Sequence, residues 1–249
     1  MRMSDDDLRF GGLARLYGAD GLQRLLRASV CVVGLGGVGS WAAEALARSA
    51  VGKITLVDLD DVCLSNVNRQ LHAIEGCIGR PKTEVMAERV QAIHPACRVR
   101  AVAEFFTATT AEEILGTRYD FVVDAIDQVA NKCLLIARCR QKEIPIVCAG
   151  GAGGRRDPAA VRVADLARTG HDPLLQQVRK KLRAEHGFAR DPKTPFGIPC
   201  VYSTEAAIAP AEGCGGRITC DNGYGTASFV TGTFGLVAAS CVVSSIAAG

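Results

Sequence analysis

The sequence predicts an α/β fold in which a doubly wound, mostly parallel sheet carries helices on both faces. Three observations predict it. Short apolar runs alternate with helix-like stretches from Ser29 to Ala149, the rhythm of β-α-β units. The pattern Gly34-x-Gly36-x-x-Gly39 stands between the first apolar run and the first helical stretch. Hydrophobic residues make up 48% of the 249-residue chain but aromatics only 5%. The core is therefore built from Ala, Val, Leu and Ile, which suit strands buried on both faces.

The elements follow in order. Residues 5–28 read as a polar segment and a short helix. Ser29–Gly34 is an apolar run closed by glycine, hence a buried strand. Gly39–Ala50 is Ala-rich and helical. Lys53–Asp58 is a second strand whose apolar run ends in acids. Lys82–Ile93 places Val85, Met86, Val90 and Ile93 at helical spacing and stops before Pro95. Arg98–Val102 is a third strand and Thr110–Leu115 a short helix. Tyr119–Ala125 is a fourth strand, Lys132–Lys142 a helix, and Pro145–Ala149 a fifth strand. Residues 29–154 thus form a Rossmann-like nucleotide-binding core.

After "AGGAGG" (149–154) the texture changes. Residues 155–193 hold ten Lys/Arg against five Asp/Glu, in a chain whose net charge is only +3. Residues 155–200 read as a basic excursion, with a helix starting near Asp172–Pro173 and an irregular loop at "PKTPFGIP". Residues 201–249 form a C-terminal extension. Phe229–Ala248 carries no charge over a length that could span a bilayer. Its Gly, Ser and Thr content favours a buried last helix, with a peripheral membrane contact as the alternative.

Composition narrows the function. A net charge of +3 does not by itself imply nucleic-acid binding. No basic segment leads into an apolar run at the start, so no secretory signal is expected and the reading is cytoplasmic. The eleven cysteines include no C-x-x-C pair, so no zinc site is expected. Most lie in apolar runs, as reduced, buried hydrophobes do. Cys200, Cys214 and Cys220 sit in a Gly-rich region and stand apart.

The glycine pattern follows a strand and opens a helix, the context a phosphate-binding turn requires. Asp58 comes nineteen residues after Gly39, at the next strand end, where a carboxylate accepts from ribose hydroxyls. In "LDDVCLSNVNRQ" the residues Asp60, Ser65, Asn66, Asn68, Arg69 and Gln70 fall at the mouth of the same crevice. Lys82 follows at a helix start. An arginine and a lysine converging there suit a triphosphate better than a dinucleotide. Asp127 lies at the carboxyl end of the fourth strand and is placed to hold Mg2+ on the phosphates.

At these residues the chain resembles the ThiF/MoeB superfamily, adenylating enzymes related to the ubiquitin-activating enzyme. The resemblance rests on G-x-G-G-x-G, V-D-x-D, S-N-x-x-R-Q, a later G-x-x-K and D-x-x-D. It implies ATP and Mg2+ as cofactors. It places Asp58 on the ribose, Asn66, Arg69 and Lys82 on phosphates, and Asp127 on the metal and the adenylate. Arg69, Lys82 and Asp127 are the catalytic candidates; Gly34, Gly36, Gly37 and Gly39 form the phosphate loop. The resemblance also implies a homodimer in which an arginine reaches the neighbour's γ-phosphate. Arg9 matches the usual start, but Gly12-Leu13 replaces the Arg-Gln that often follows, leaving Arg15 or Arg69 to act across the dimer.

Within the superfamily, "GGVGSWAAEALAR", "DDVCLSNVNRQLHA", "GGAGG", "DPLLQQVRKKLR" and "TGTFGLVA" resemble the tRNA threonylcarbamoyladenosine dehydratases over nearly the whole chain. Those enzymes activate a carboxylate on a modified adenosine beside the anticodon and close it into a ring. The resemblance implies tRNA as partner, together with a sulfur-acceptor protein of a cysteine-desulfurase system. It gives Arg179, Lys180, Lys181 and Arg183, clustered on one short helix, phosphates to bind. Relatives use a cysteine for thioester or sulfur transfer, which makes Cys200 and Cys220 candidates. The competing readings are adenylation of a ubiquitin-like sulfur-carrier protein, an NAD oxidoreductase and an inactive sulfur-relay scaffold.

Overall fold

The five apolar runs become strands β1 (Ser29–Val33), β2 (Lys53–Val57), β3 (Arg98–Val102), β4 (Phe121–Asp124) and β5 (Ile146–Ala149). They are seen in a computed structural model, which describes residues 5–191, 193–208 and 224–249. Two further strands, β6 (Val161–Asp165) and β7 (Pro199–Ser203), complete one sheet in the order β3-β2-β1-β4-β5-β7-β6. All neighbours are parallel except β6 and β7.

The helices are α1 (Asp5–Arg27), α2 (Gly39–Arg48), α3 (Lys82–Ile93), α4 (Ala111–Ile114), α5 (Val129–Gln141), α6 (Pro173–Glu185) and α7 (Ser228–Ala248). Side chains alternate across each strand, so β1 feeds two cores. Val30 and Val32 pack with Ala42, Leu46, Met86, Phe234 and Val242, on the side of α2, α3 and α7. Cys31 and Val33 pack with Ile114, Leu135, Ile136, Val178 and Leu182, on the side of α4, α5 and α6. The opening segment is longer than a short helix: α1 runs from residue 5, kinked at Gly18, whose φ of 77° breaks the helical geometry.

The basic stretch 155–200 leaves the β-α-β rhythm but stays on the sheet. It supplies β6 and the start of β7, and α6 buries Leu175, Val178 and Leu182 in the second core. The described residues beyond 200, 201–208 and 224–249, are equally part of the body. The apolar helix α7 is long enough to cross a membrane, yet it buries Val230, Phe234, Ala238 and Val242 in the first core. Gly235 lets it approach α2 closely, since a Cβ there would lie 2.5 Å from the Val38 carbonyl.

Candidate nucleotide-binding site

The carboxyl ends of β1, β2, β3 and β4 open onto a cavity of about 730 Å³, a size typical of small-molecule sites. The turn after β1 forms its floor. The Gly34 N–H donates to the Val57 carbonyl at 2.9 Å, and φ at Gly34 is +89°. A Cβ on Gly39 would sit 1.8 Å from the Gly34 carbonyl oxygen. Only glycine fits there, and the turn closes tightly into α2. Gly34, Gly36 and Gly37 line the cavity. Gly39 does not; its part is to close the turn behind it.

Asp58 follows β2 and is largely buried. Its Oδ2 accepts from the Leu35 N–H at 2.6 Å and its Oδ1 from the Asp60 N–H at 2.9 Å. One carboxylate thus ties the glycine turn to the second strand end. Burial pushes its pKa up, against the pull of Lys82 and the two backbone N–H groups. Asp60 is half exposed and holds the Lys82 ammonium at 2.8 Å. The Lys82 backbone N–H donates to the Asp60 carbonyl at 3.0 Å, which anchors the start of α3 at the cavity.

The segment between Asp61 and Arg80 loops over the crevice. Asn66 is buried, and its Oδ1 accepts from the Cys63 N–H at 3.1 Å. The Arg69 guanidinium donates to the Ser65 carbonyl at 2.6 Å and to Asn68 Oδ1 at 3.0 Å. The Arg69 carbonyl accepts from Trp41 Nε1 at 3.1 Å and Thr231 Oγ1 at 3.3 Å, so α2 and α7 both hold this loop. Gln70 is buried, and its Oε1 has no hydrogen-bond partner among the described residues.

Asp58, Asp60, Ser65, Asn66, Arg69, Gln70, Lys82 and Asp127 all line this one cavity. Asp127 is exposed and follows the end of β4. It lines the same cavity as three acids after β2, Asp58, Asp60 and Asp61. Among the described residues no group of three or more His, Cys, Asp or Glu could enclose a metal. That donor set suits Mg2+ carried on nucleotide phosphates, which needs only one or two carboxylates.

The cavity also takes in residues that no motif marks: Glu104, Phe105, Phe106, Gln128 and Asn131. Glu104 to Phe106 follow β3, so the rule that ligands bind at carboxyl strand ends would have pointed to them. Phe105 is half exposed and offers an aromatic ring at the rim.

The four basic residues of α6 are not presented as one free face. Arg179 is half-buried and donates to Thr169 Oγ1. Arg183 donates to the Ala189 carbonyl at 3.1 Å, and its guanidinium lies 5.3 Å from the Phe196 ring centre. Lys181 pairs with Glu185 at 2.6 Å. Lys180 is exposed. The helix starts beside the segment that follows β5, where Asp172 caps it and accepts from the Gly151 N–H at 2.9 Å. Just beyond its end, Phe188 stacks under Arg140 near the end of α5.

Cys200 is fully buried, and burial pushes its thiol well above the usual range, which disfavours the thiolate that a nucleophile or sulfur acceptor requires. Cys214 and Cys220 lie outside the described residues. Arg9 is exposed and donates to the Ile93 carbonyl at 3.2 Å; Arg15 is exposed on α1.

Known proteins are similar to this chain over nearly its whole length. The chain is 47% identical to the tRNA threonylcarbamoyladenosine dehydratase of Haemophilus influenzae, over 98% of this chain and 95% of that one. It is 49% identical to the Escherichia coli dehydratase, over 93% and 91%. The crystal structure of the E. coli tRNA N6-threonylcarbamoyladenosine dehydratase in complex with ATP superposes with a TM-score of 0.91 at 46% identity, covering 100% of this chain and 98% of that one. Residues 12–246 match the ThiF family, and the chain belongs to it.

Proposed function

We propose that the chain is an ATP-dependent tRNA threonylcarbamoyladenosine dehydratase. The observation that carries this reading is its similarity to two dehydratases along nearly the whole of each chain. The site supports it, because the glycine turn, Arg69, Lys82 and Asp127 face one cavity.

The chemistry asks for little more. A carboxylate is a poor electrophile because its oxygen leaves badly. One carboxylate oxygen of the substrate attacks the α-phosphorus of ATP, and pyrophosphate departs. A nitrogen of the same substrate then attacks the acyl carbon and gives up its proton. AMP leaves with the former carboxylate oxygen, and the ring is closed. Both steps need neutralised charge and fixed positions rather than an enzyme nucleophile. Arg69 and Lys82 carry the phosphate charge. Asp58 holds the ribose, and Asn66, Gln70 and Ser65 frame the phosphates. Asp127 would hold Mg2+, which offsets phosphate charge when bound.

The enzyme acts as a homodimer. Leu64, Val67 and Ile74 support this, being exposed apolar residues on the loop beside the cavity; Arg15 is the candidate to act across the interface. The tRNA runs over α6, where Lys180 is an exposed cation. A sulfur-acceptor partner from a cysteine-desulfurase system rests on resemblance alone. The enzyme works in the cytoplasm, with its tRNA substrate.

The test is AMP and pyrophosphate release with tRNA carrying threonylcarbamoyladenosine. Release that requires this tRNA supports the reading. Release that requires a ubiquitin-like carrier protein instead, with the tRNA inert, replaces it.

A further inference from the structure

Asp124 ends β4, and Lys132 lies in the first turns of α5; both side chains are fully buried. The Lys132 ammonium stands 2.9 Å from Asp124 Oδ2 and donates to the Ile126 carbonyl at 2.9 Å. Asp124 Oδ1 accepts from the Ile126 N–H at 3.1 Å. Ile126 is therefore held through both of its backbone polar groups, and Asp127 follows it directly. Ala125 is held from the opposite side. Its N–H donates to the Val33 carbonyl at 2.9 Å, and its own carbonyl packs against Gly34, where a Cβ would lie 2.9 Å away.

A buried ion pair is a poor way to gain stability, because the loss of hydration of two charges offsets their attraction. What such a pair can secure is one conformation out of several. Here the conformation concerned is the turn from Ala125 to Gln128, which carries Asp127 into the cavity. Lys132 does not line that cavity, so it acts only through its neighbours. We propose that Lys132 is a positioning residue that, with Asp124, fixes the turn presenting Asp127 to the nucleotide. The proposal rests on the role given to Asp127 above.

Three variants of the full chain test it, with kcat, KM for ATP and thermal unfolding measured on tRNA-dependent turnover. Asp124→Asn/Lys132→Met removes both charges together, leaving no unpaired charge in the core, and also removes the donor to Ile126. Its kcat should fall at least about tenfold while KM for ATP stays within about threefold, since misplacing a reacting-site group costs the transition state more than ground-state binding. Lys132→Arg keeps a charge and a donor and should turn over faster than the double variant. Asp127→Ala is the reference and should be slow.

A folded double variant at the wild-type kcat, beside a slow Asp127→Ala, overturns the proposal and leaves the Asp127 reading standing. Asp127→Ala at the wild-type rate overturns both. If the double variant does not fold, Lys132→Arg decides. A kcat as low as that of Asp127→Ala overturns the proposal, and a kcat well above it supports it.

Discussion

The Lys82 ammonium lies 2.8 Å from Asp60 Oδ2 at the mouth of the cavity. This pair gives a lysine that is almost fully buried a carboxylate partner where α3 begins. A polyphosphate entering the cavity competes with Asp60 for the same ammonium. Lys82→Met should lower tRNA-dependent turnover by about 10²–10³-fold, the usual cost of losing one donor aimed at developing charge. Asp60 is half exposed, so it remains hydrated and the fold survives. Steady-state kinetics at saturating ATP, with unfolding as a control, check this; a loss under threefold contradicts it.

Arg69→Ala should slow catalysis far more than it weakens AMP binding. Among the described residues its guanidinium bonds only to Ser65 and Asn68, within its own loop. The bonds that anchor the loop to Trp41 and Thr231 use its carbonyl, which alanine keeps. Calorimetric AMP affinity and kcat, compared in one variant, separate the roles. Equal losses in both would move Arg69 to the nucleoside end of the site.

The strands β1, β2, β4 and β5 and helix α3 were legible in the sequence because each strand run is short, mostly apolar and bounded by Gly, Pro or acids, and α3 shows helical spacing. Strand β3 alternates Arg98 and Arg100 with apolar residues, as an edge strand does. The boundaries of α3 coincide with those expected. Strand β6 was not legible: Val161–Asp165 mixes valines with Arg162 on a sheet edge, and Val163 is nearly half exposed. Its partner β7 lies more than thirty residues away and begins at Pro199, inside a stretch that reads as a loop. The cavity was legible where one strand-end motif carried it. Phe105 and Phe106 belong to no motif, and nothing in sequence distinguishes Lys132, a fully buried cation, from the exposed ones around it.

The basic helix divides into two pairs. Lys180→Gln/Lys181→Gln should weaken tRNA binding and flatten the plot of log affinity against log salt by about 1 to 2 units, one for each phosphate that is no longer neutralised. Arg179→Gln/Arg183→Gln should instead lower the melting temperature, because those side chains bond to Thr169, Ala189 and the Phe196 ring. Filter binding at several salt concentrations and thermal unfolding distinguish the pairs. An unchanged salt slope in the lysine variant removes α6 from the tRNA path.

His72 makes stability depend on pH. It is buried, and neither ring nitrogen has a partner among the described residues. Burial, with Lys82 and Arg89 nearby, pushes its pKa down from 6.5 to about 4. Between these values the unfolded chain binds a proton that the folded chain refuses. Stability from this residue is therefore present above pH 6.5, is lost as pH falls toward 4, and changes no further below that. The full swing is about 3 kcal/mol. His72→Phe should flatten that part of the curve in urea unfolding at pH 4 and pH 7; an unchanged difference between the two pH values contradicts the assignment.

Closure of a carboxylate on tRNA at the expense of ATP leaves a mass signature. The decisive experiment is mass spectrometry of nucleosides from tRNA carrying threonylcarbamoyladenosine, after incubation with the enzyme and ATP. The modified adenosine should lose one water, one AMP and one pyrophosphate should appear for each water lost, and Asp127→Ala should abolish all three. An unchanged nucleoside with folded, ATP-bound enzyme would contradict the assignment of this chain as the dehydratase.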